Sequence, residues 1–202
     1  MEKKKYRIIQ FNLSTELQHG LLVSCLARRI AQRMGLSEEE CYDISLAGVL
    51  HDIGKLEIER FVTGVEETLT VEEIKYVRTH ATLGYALLLE KEYPQSVLES
   101  VLYHHENYDG SGYPSNLSGE DIPLGARILR VCDVFVALTS ERPYRRAFDM
   151  DTAIQTMIDE VKNFDMKIFL CFLQIIHEKE MQEILKKCRE TDLKIEEDVL
   201  WH

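Results

Sequence analysis

Cysteine is scarce and scattered in this sequence: Cys25, Cys41, Cys132, Cys171 and Cys188 are odd in number, and none falls in a CxxC spacing. That pattern argues against a disulfide framework and a thiolate zinc site, and leaves reduced thiols as the expectation. Positive charge is also in deficit, with 24 Lys and Arg against 35 Asp and Glu and a net charge of −11. A general nucleic-acid surface needs a basic face to displace counterions, so no polymeric nucleic acid is expected as a partner. A small anionic ligand stays open where positive charge is local, and Arg127, Arg130, Arg142, Arg145 and Arg146 supply such a concentration. No apolar run approaches the roughly 18–20 residues that span a bilayer. The opening MEKKKYRIIQFN is positively charged but has neither a long apolar stretch nor a small-residue cleavage site, so it does not read as a signal peptide. The expectation is a cytoplasmic protein with no membrane partner.

Alternating strand patterns are missing too, except that Tyr6 to Phe11 can form a short extended lead-in. What is present is helical periodicity. Leu17, Leu21, Leu22, Cys25, Leu26, Ile30 and Met34 recur at three- and four-residue spacing, and Gly35 is a natural stop. Ser37-Glu38-Glu39-Glu40 has the form of a capping box before Ile44, Leu46, Ala47 and Leu50, and Thr70-Val71-Glu72-Glu73 repeats that device. Pro94 suits the first turn of a helix ending near His104. Residues 122–139 read as a largely buried helix, Asp149 or Asp151 as the cap of another, and residues 164–188 as one or two more. The spacing therefore predicts one all-α bundle: a lead-in at 1–13, the domain at 14–176 and a charged helical tail at 177–202, with loops near 54–69 and 107–121.

Some residues are not explained by a fold alone. His51-Asp52-Ile53-Gly54-Lys55 ends an apolar helix with an adjacent imidazole and carboxylate, whose burial without a partner costs several kcal/mol. A divalent cation removes that cost. Asp133 is a carboxylate inside the apolar run 128–138, where an ion pair with Arg130 is the competing explanation. His19, His80 and the pair His104-His105 lie at helix ends or on apolar faces, whereas His177 and His202 read as surface residues. Mixed imidazole and carboxylate donors without thiolate suit Mn, Fe or Zn, and seven candidates exceed what one tetrahedral ion needs, which implies two metals. Two ions about 3.5–4 Å apart can hold a bridging hydroxide and clamp phosphodiester oxygens.

These motifs, with His104-His105-Glu106-Asn107-Tyr108-Asp109-Gly110-Ser111-Gly112-Tyr113-Pro114 and Arg142-Pro143-Tyr144-Arg145, resemble the HD-GYP subgroup of the HD phosphohydrolase superfamily, the bacterial cyclic di-GMP phosphodiesterases. The resemblance runs from about His19 to Phe148. It implies an HD-domain helical bundle with a GYP loop, and His19, His51, Asp52, His80, His104, His105 and Asp133 as metal ligands, with Asp52 bridging. It also implies that Lys55 contacts the scissile phosphate, and that Tyr113, Arg142 and Arg145 hold a cyclic dinucleotide. The implied cofactors are two divalent ions, Fe or Mn, with Zn, Ni or Mg as alternatives. The implied reaction is hydrolysis of cyclic di-GMP to linear pGpG, with continuation to GMP left open. Cyclic GMP-AMP or another nucleotide is the alternative substrate, and a silent ligand- or partner-binding module the non-enzymatic alternative. Thr15 stands where some members carry a glutamate associated with a third metal, with Glu16 beside it, which supports a dinuclear site. No regulatory segment is recognisable, so control is expected from a partner protein or a homodimer.

Overall fold

The structure is a computed structural model, which describes residues 6–7, 13–58, 62–63, 71–141 and 145–191. Its helices are α1 (Leu13–Arg33), α2 (Glu38–Leu50), α3 (Val71–Val77), α4 (His80–Leu89), α5 (Gln95–Tyr103), α6 (Leu124–Leu138), α7 (Met150–Asp159), α8 (Met166–Ile176) and α9 (Lys179–Glu190). Short 3-10 turns occupy Ile53–Glu57, Gly119–Asp121 and Val161–Asn163. Tyr6–Arg7 forms β1, as its extended pattern predicts, but it pairs antiparallel with β2 (Val62–Thr63), inside the segment expected to be loop. None of the described helices is long and apolar enough to cross a membrane.

Helix ends follow their local chemistry. Gly35 adopts φ +79°, and the Leu36 amide returns to the Ala31 carbonyl at 3.1 Å, closing α1. Ser37 and Glu40 form the expected capping box, with the Glu40 amide 3.2 Å from Ser37 Oγ and the Ser37 amide 2.8 Å from Glu40 Oε2. Pro94 sits one residue before α5, and Asp149 rather than Asp151 caps α7 by accepting from the Thr152 amide at 2.9 Å. Thr70 lies outside the described residues.

The core gathers around α6. Its Ile128, Leu129, Val131, Cys132, Phe135 and Val136 are buried against Leu22, Val23, Leu26 and Ile30 of α1 and Ile168, Phe172 and Ile176 of α8. Each such side chain contributes about 1.5–3 kcal/mol by leaving water. Phe135 and Phe172 meet edge to face, with centroids 5.1 Å apart. α9 buries Met181 and Leu185, and its start is tied to α1 by ion pairs from Arg29 to Glu178 and Glu180 and from Arg33 to Glu178. At its other end the Gln18 side chain donates to the Arg189 carbonyl at 2.7 Å. The charged tail, as far as it is described, therefore packs on the bundle, lengthwise against α1.

A candidate metal centre where five helices meet

α1 contributes His19 from its buried face, and α6 contributes Asp133 from its middle. α2 ends in His51 and Asp52, α4 begins at His80, and α5 ends in His104 and His105. The C-termini of α2 and α5 thus turn their partial negative charge toward the cluster, which favours a cation there. The turn after Asp52 is held close: a Cβ on Gly54 would lie 2.0 Å from the His80 carbonyl oxygen and 2.5 Å from the Gly84 nitrogen. Only glycine allows the α2 end to approach α4 this closely.

Backbone carbonyls orient three of the imidazoles. Nδ1 of His51, His80 and His104 lies 2.9, 2.7 and 2.6 Å from the carbonyls of Gly48, Val77 and Val101, each three residues earlier. A carbonyl can only accept, so each Nδ1 carries the proton, and in a neutral ring Nε2 is left as a lone pair facing the cluster. His80 Nε2 and His104 Nε2 are 3.3 Å apart, and His105 Nε2 is 3.1 Å from His80 Nε2. Two lone pairs so close are repulsive unless something positive lies between them. Ligand bonds of about 2.1 Å would separate neighbouring donors by roughly 3.0–3.4 Å at angles of about 90–110°. The observed spacings fit that range.

Asp52 faces both sides of the cluster. Oδ1 is 3.3 Å from His80 Nε2, whereas Oδ2 is 3.2 Å from His51 Nε2, 3.9 Å from His19 Nε2 and 2.7 Å from Lys55 Nζ. Two sets of donor atoms follow, one from Asp52, His80, His104 and His105, the other from His19, His51 and Asp52; within each set the atoms lie within 4.8 Å of one another. Asp133 Oδ1 adjoins the second set, 2.9 Å from His19 Nε2 and 3.8 Å from His51 Nε2. Among the described residues no ion pair joins Arg130 to Asp133: Arg130 donates from Nε to Asn107 at 3.0 Å, although the Asp133 charge still favours its guanidinium. His19 Nδ1 is buried without a hydrogen-bond partner, and His51 Nε2, which faces only the carboxylate oxygens of Asp52 and Asp133, is placed where a cation could bind.

Electrostatics divides the cluster. Burial alone would raise the Asp52 carboxyl, but His51, Lys55 and His80 hold it well below the usual range. Asp133 behaves likewise, with His19 and His51 overcoming burial. His51 is desolvated, yet the two carboxylates lift it to about 10. Burial keeps His80 low and, with the neighbouring imidazoles, His104 well below its ordinary value, while His105 falls to about 3. Ionised Asp52 and Asp133, beside His80, His104 and His105 held neutral, make a donor set suited to divalent cations.

Lys55 bridges Asp52 and Glu16, with Nζ 2.7 Å from Asp52 Oδ2 and 2.9 Å from Glu16 Oε2. Burial works against its charge, but the two carboxylates more than offset it and lift the ammonium above its ordinary range. Glu16 thus borders the cluster through Lys55. Tyr113 stacks on His105, with centroids 4.7 Å apart and planes at 26°, and the Arg78 guanidinium lies 4.8 Å from the Tyr113 centroid. Arg78 belongs to no motif of its own, and its one signal in the sequence is its position two residues before His80. Arg142 lies outside the described residues. Arg145 donates to the carbonyls of Leu138 at 2.9 Å and Ala137 at 2.8 Å, and sits over Phe148. Its guanidinium closes the end of α6.

The GYP loop is held by its own acids. Glu106, buried to 1% exposure, accepts from the Ser115 amide at 2.6 Å, and Asp109 accepts from the Ser111 amide at 3.0 Å. A Cβ on Gly112 would lie 2.3 Å from the Asn107 nitrogen and 2.4 Å from Glu106 Cα. The glycine is required because the loop folds back on its own backbone. The Tyr108 amide donates to the Asn163 carbonyl at 3.0 Å, and Asp165 both caps α8 and pairs with Arg127 at 2.6 Å, so the segment before α8 buttresses the loop.

A profile of the HD domain family matches residues 4–168. The chain is 46% identical over 134 residues to the cyclic di-GMP phosphodiesterase response regulator RpfG of Xanthomonas campestris pv. campestris, covering 65% of this chain and 35% of that one. It is 36% identical over 155 residues to 3'3'-cGAMP-specific phosphodiesterase 1 of Vibrio cholerae, covering 75% of this chain and 36% of the relative. The chain thus spans little more than a third of either relative. Among solved structures, an HDG"Y"P protein from Bdellovibrio bacteriovorus superposes with a TM-score of 0.68 at 20% identity, over 84% of this chain and 55% of that one. At that identity the likeness speaks for the fold alone.

Proposed function

The chain belongs to the HD domain family, and from that premise we propose that it is a metal-dependent phosphodiesterase hydrolysing cyclic di-GMP to linear pGpG. The observation that carries the reading is the His80–His104 pair: two Nε2 lone pairs 3.3 Å apart, each fixed by an Nδ1 bond to backbone, need a cation between them. In this reading His80, His104, His105 and Asp52 would hold one divalent ion, and His19, His51, Asp133 and the second Asp52 oxygen another. Imidazole and carboxylate donors without thiolate favour Fe or Mn. When bound, two such ions neutralise phosphodiester oxygens and acidify the attacking water.

The chain's own residues complete the reaction. Lys55 is kept charged by Asp52 and Glu16, so its ammonium can stabilise negative charge at the scissile phosphate and at the departing ribose oxygen. Tyr113, stacked against His105 and covered by Arg78, borders the cluster, and a guanine base would stack on it by displacing the Arg78 guanidinium. Arg142 is the further proposed phosphate contact. Arg145 supports the substrate side indirectly, through the end of α6. Cyclic GMP-AMP is the second reading, favoured by the name of the Vibrio cholerae relative.

The test is protein purified without oxygen, its bound metal quantified, and cyclic di-GMP and cyclic GMP-AMP followed by chromatography. Close to two ions per chain and conversion of cyclic di-GMP to pGpG are expected, with both lost in Asp52→Ala. Full activity in Asp52→Ala would sink the mechanism.

A further inference from the structure

Two cysteines separated by most of the chain meet where the tail helix lies on the bundle: Cys25 Sγ of α1 and Cys188 Sγ of α9 are 3.1 Å apart. The contact has neighbours on both sides that hold α9 in register. Arg29 and Arg33 grip Glu178 at the start of α9, while Gln18 binds the Arg189 carbonyl and Arg189 Nη2 donates to Thr139 Oγ1 at 3.2 Å at its end. Met181 and Leu185, two turns and one turn before Cys188, anchor the same face in the core. The two thiols are only partly buried, so a small oxidant can reach them.

We propose that Cys25 and Cys188 are a redox modification site, forming a reversible disulfide that staples α9 to α1. Closing the gap from 3.1 Å to a bond of about 2.05 Å needs the two sulfurs to approach by only roughly 1 Å. The oxidant is a small disulfide such as oxidised glutathione. Burial and the adjacent Cys188 push the Cys25 thiol up to about 12, so the exchange begins at Cys188. Its sulfur attacks one glutathione sulfur, and the first glutathione leaves as thiol with the Cys188 proton. Cys25 then displaces the second glutathione from Cys188 and gives up its own proton to it. Two protein thiols and one glutathione disulfide become one protein disulfide and two glutathione thiols.

The staple joins helices whose packing also fixes the candidate metal centre. Gln18 directly precedes His19, and Thr139 ends the helix that carries Asp133, so Arg189 touches the supports of both residues. Neither Cys25 nor Cys188 belongs to that centre.

The test equilibrates the whole protein with oxidised glutathione, blocks remaining thiols, and maps peptides without reduction. A Cys25–Cys188 cross-linked peptide is expected, with a mass loss of two hydrogens, reversal by reduced glutathione, and loss of the cross-link in Cys25→Ser and in Cys188→Ser. A rise in melting temperature on the order of 5–10 °C should accompany it, because the bond closes a long loop. Thiols that remain free in fully oxidised glutathione, or glutathione adducts at either cysteine that never proceed to the internal bond, would overturn the proposal. So would a cross-link that joins Cys188 to Cys171 instead.

Discussion

Gly54→Ala probes how the candidate centre is held together without touching any donor atom. The added methyl carbon would stand 2.0 Å from the His80 carbonyl oxygen and 2.5 Å from the Gly84 nitrogen, both backbone atoms that cannot rotate aside. Recovering ordinary contact at about 3.4 Å requires the Asp52–Lys55 turn and α4 to separate by roughly 1.4 Å. Such overpacking costs about 1–3 kcal/mol, equivalent to a fall in melting temperature of about 2–12 °C for a chain of this size. The effect on the site should be larger. Asp52 Oδ1 is 3.3 Å from His80 Nε2, and metal–ligand distances tolerate only about ±0.2 Å, so a separation of this size removes one shared ligand. Metal content should fall by at least half and turnover by about 100-fold. Elemental analysis, chromatography of the dinucleotide and a thermal melt read all three. Gly35→Ala is the control: it has no atom within 4 Å of the new carbon but a φ of +79°, so it costs about 1–2 kcal/mol and leaves the metal in place. Wild-type metal content and turnover in Gly54→Ala, or equal metal loss in both variants, would refute the reasoning.

Three further outcomes are expected. Lys55→Met removes the ammonium 2.7 Å from Asp52 and should cut turnover about 10²–10³-fold while bound metal is retained, as elemental analysis beside kcat will report. Arg145→Ala should lower stability by about 1–2 kcal/mol through two lost donors to the end of α6, a drop of about 2–8 °C on melting; a raised KM with an unchanged melt would instead mark Arg145 as a substrate contact. Glu106→Ala should loosen the GYP turn by leaving the Ser115 amide without its acceptor, costing about 1–3 kcal/mol on melting, whereas Glu106→Gln keeps an oxygen for that amide and most of the stability.

The helices were legible because apolar spacing and capping residues act locally: the Ser37 box, the Gly35 stop and the Asp149 cap all lie where their chemistry requires. The buried His and Asp side chains stood out because a carboxylate in an apolar helix needs an explanation. What could not be read was set by contacts that helical spacing and capping do not encode. Gly112 faces the backbone of its own loop, Arg78 reaches Tyr113 across a turn, and Arg145 closes a helix end. Nor does any spacing rule connect Cys25 to Cys188, since their meeting depends on how α9 docks after the core has formed. The pairing of β1 with β2 escaped for a similar reason, each strand being only two residues long.

The Nδ1 bonds of His51, His80 and His104 tie each imidazole to a carbonyl three residues back, so each ring is an extension of its own local backbone. Errors in the centre can then come mainly from errors in how whole helices are placed. A metal held there would serve as a strain gauge for the bundle: its absorption or magnetic spectrum should register slight helix movements, including those caused by changes far from any ligand.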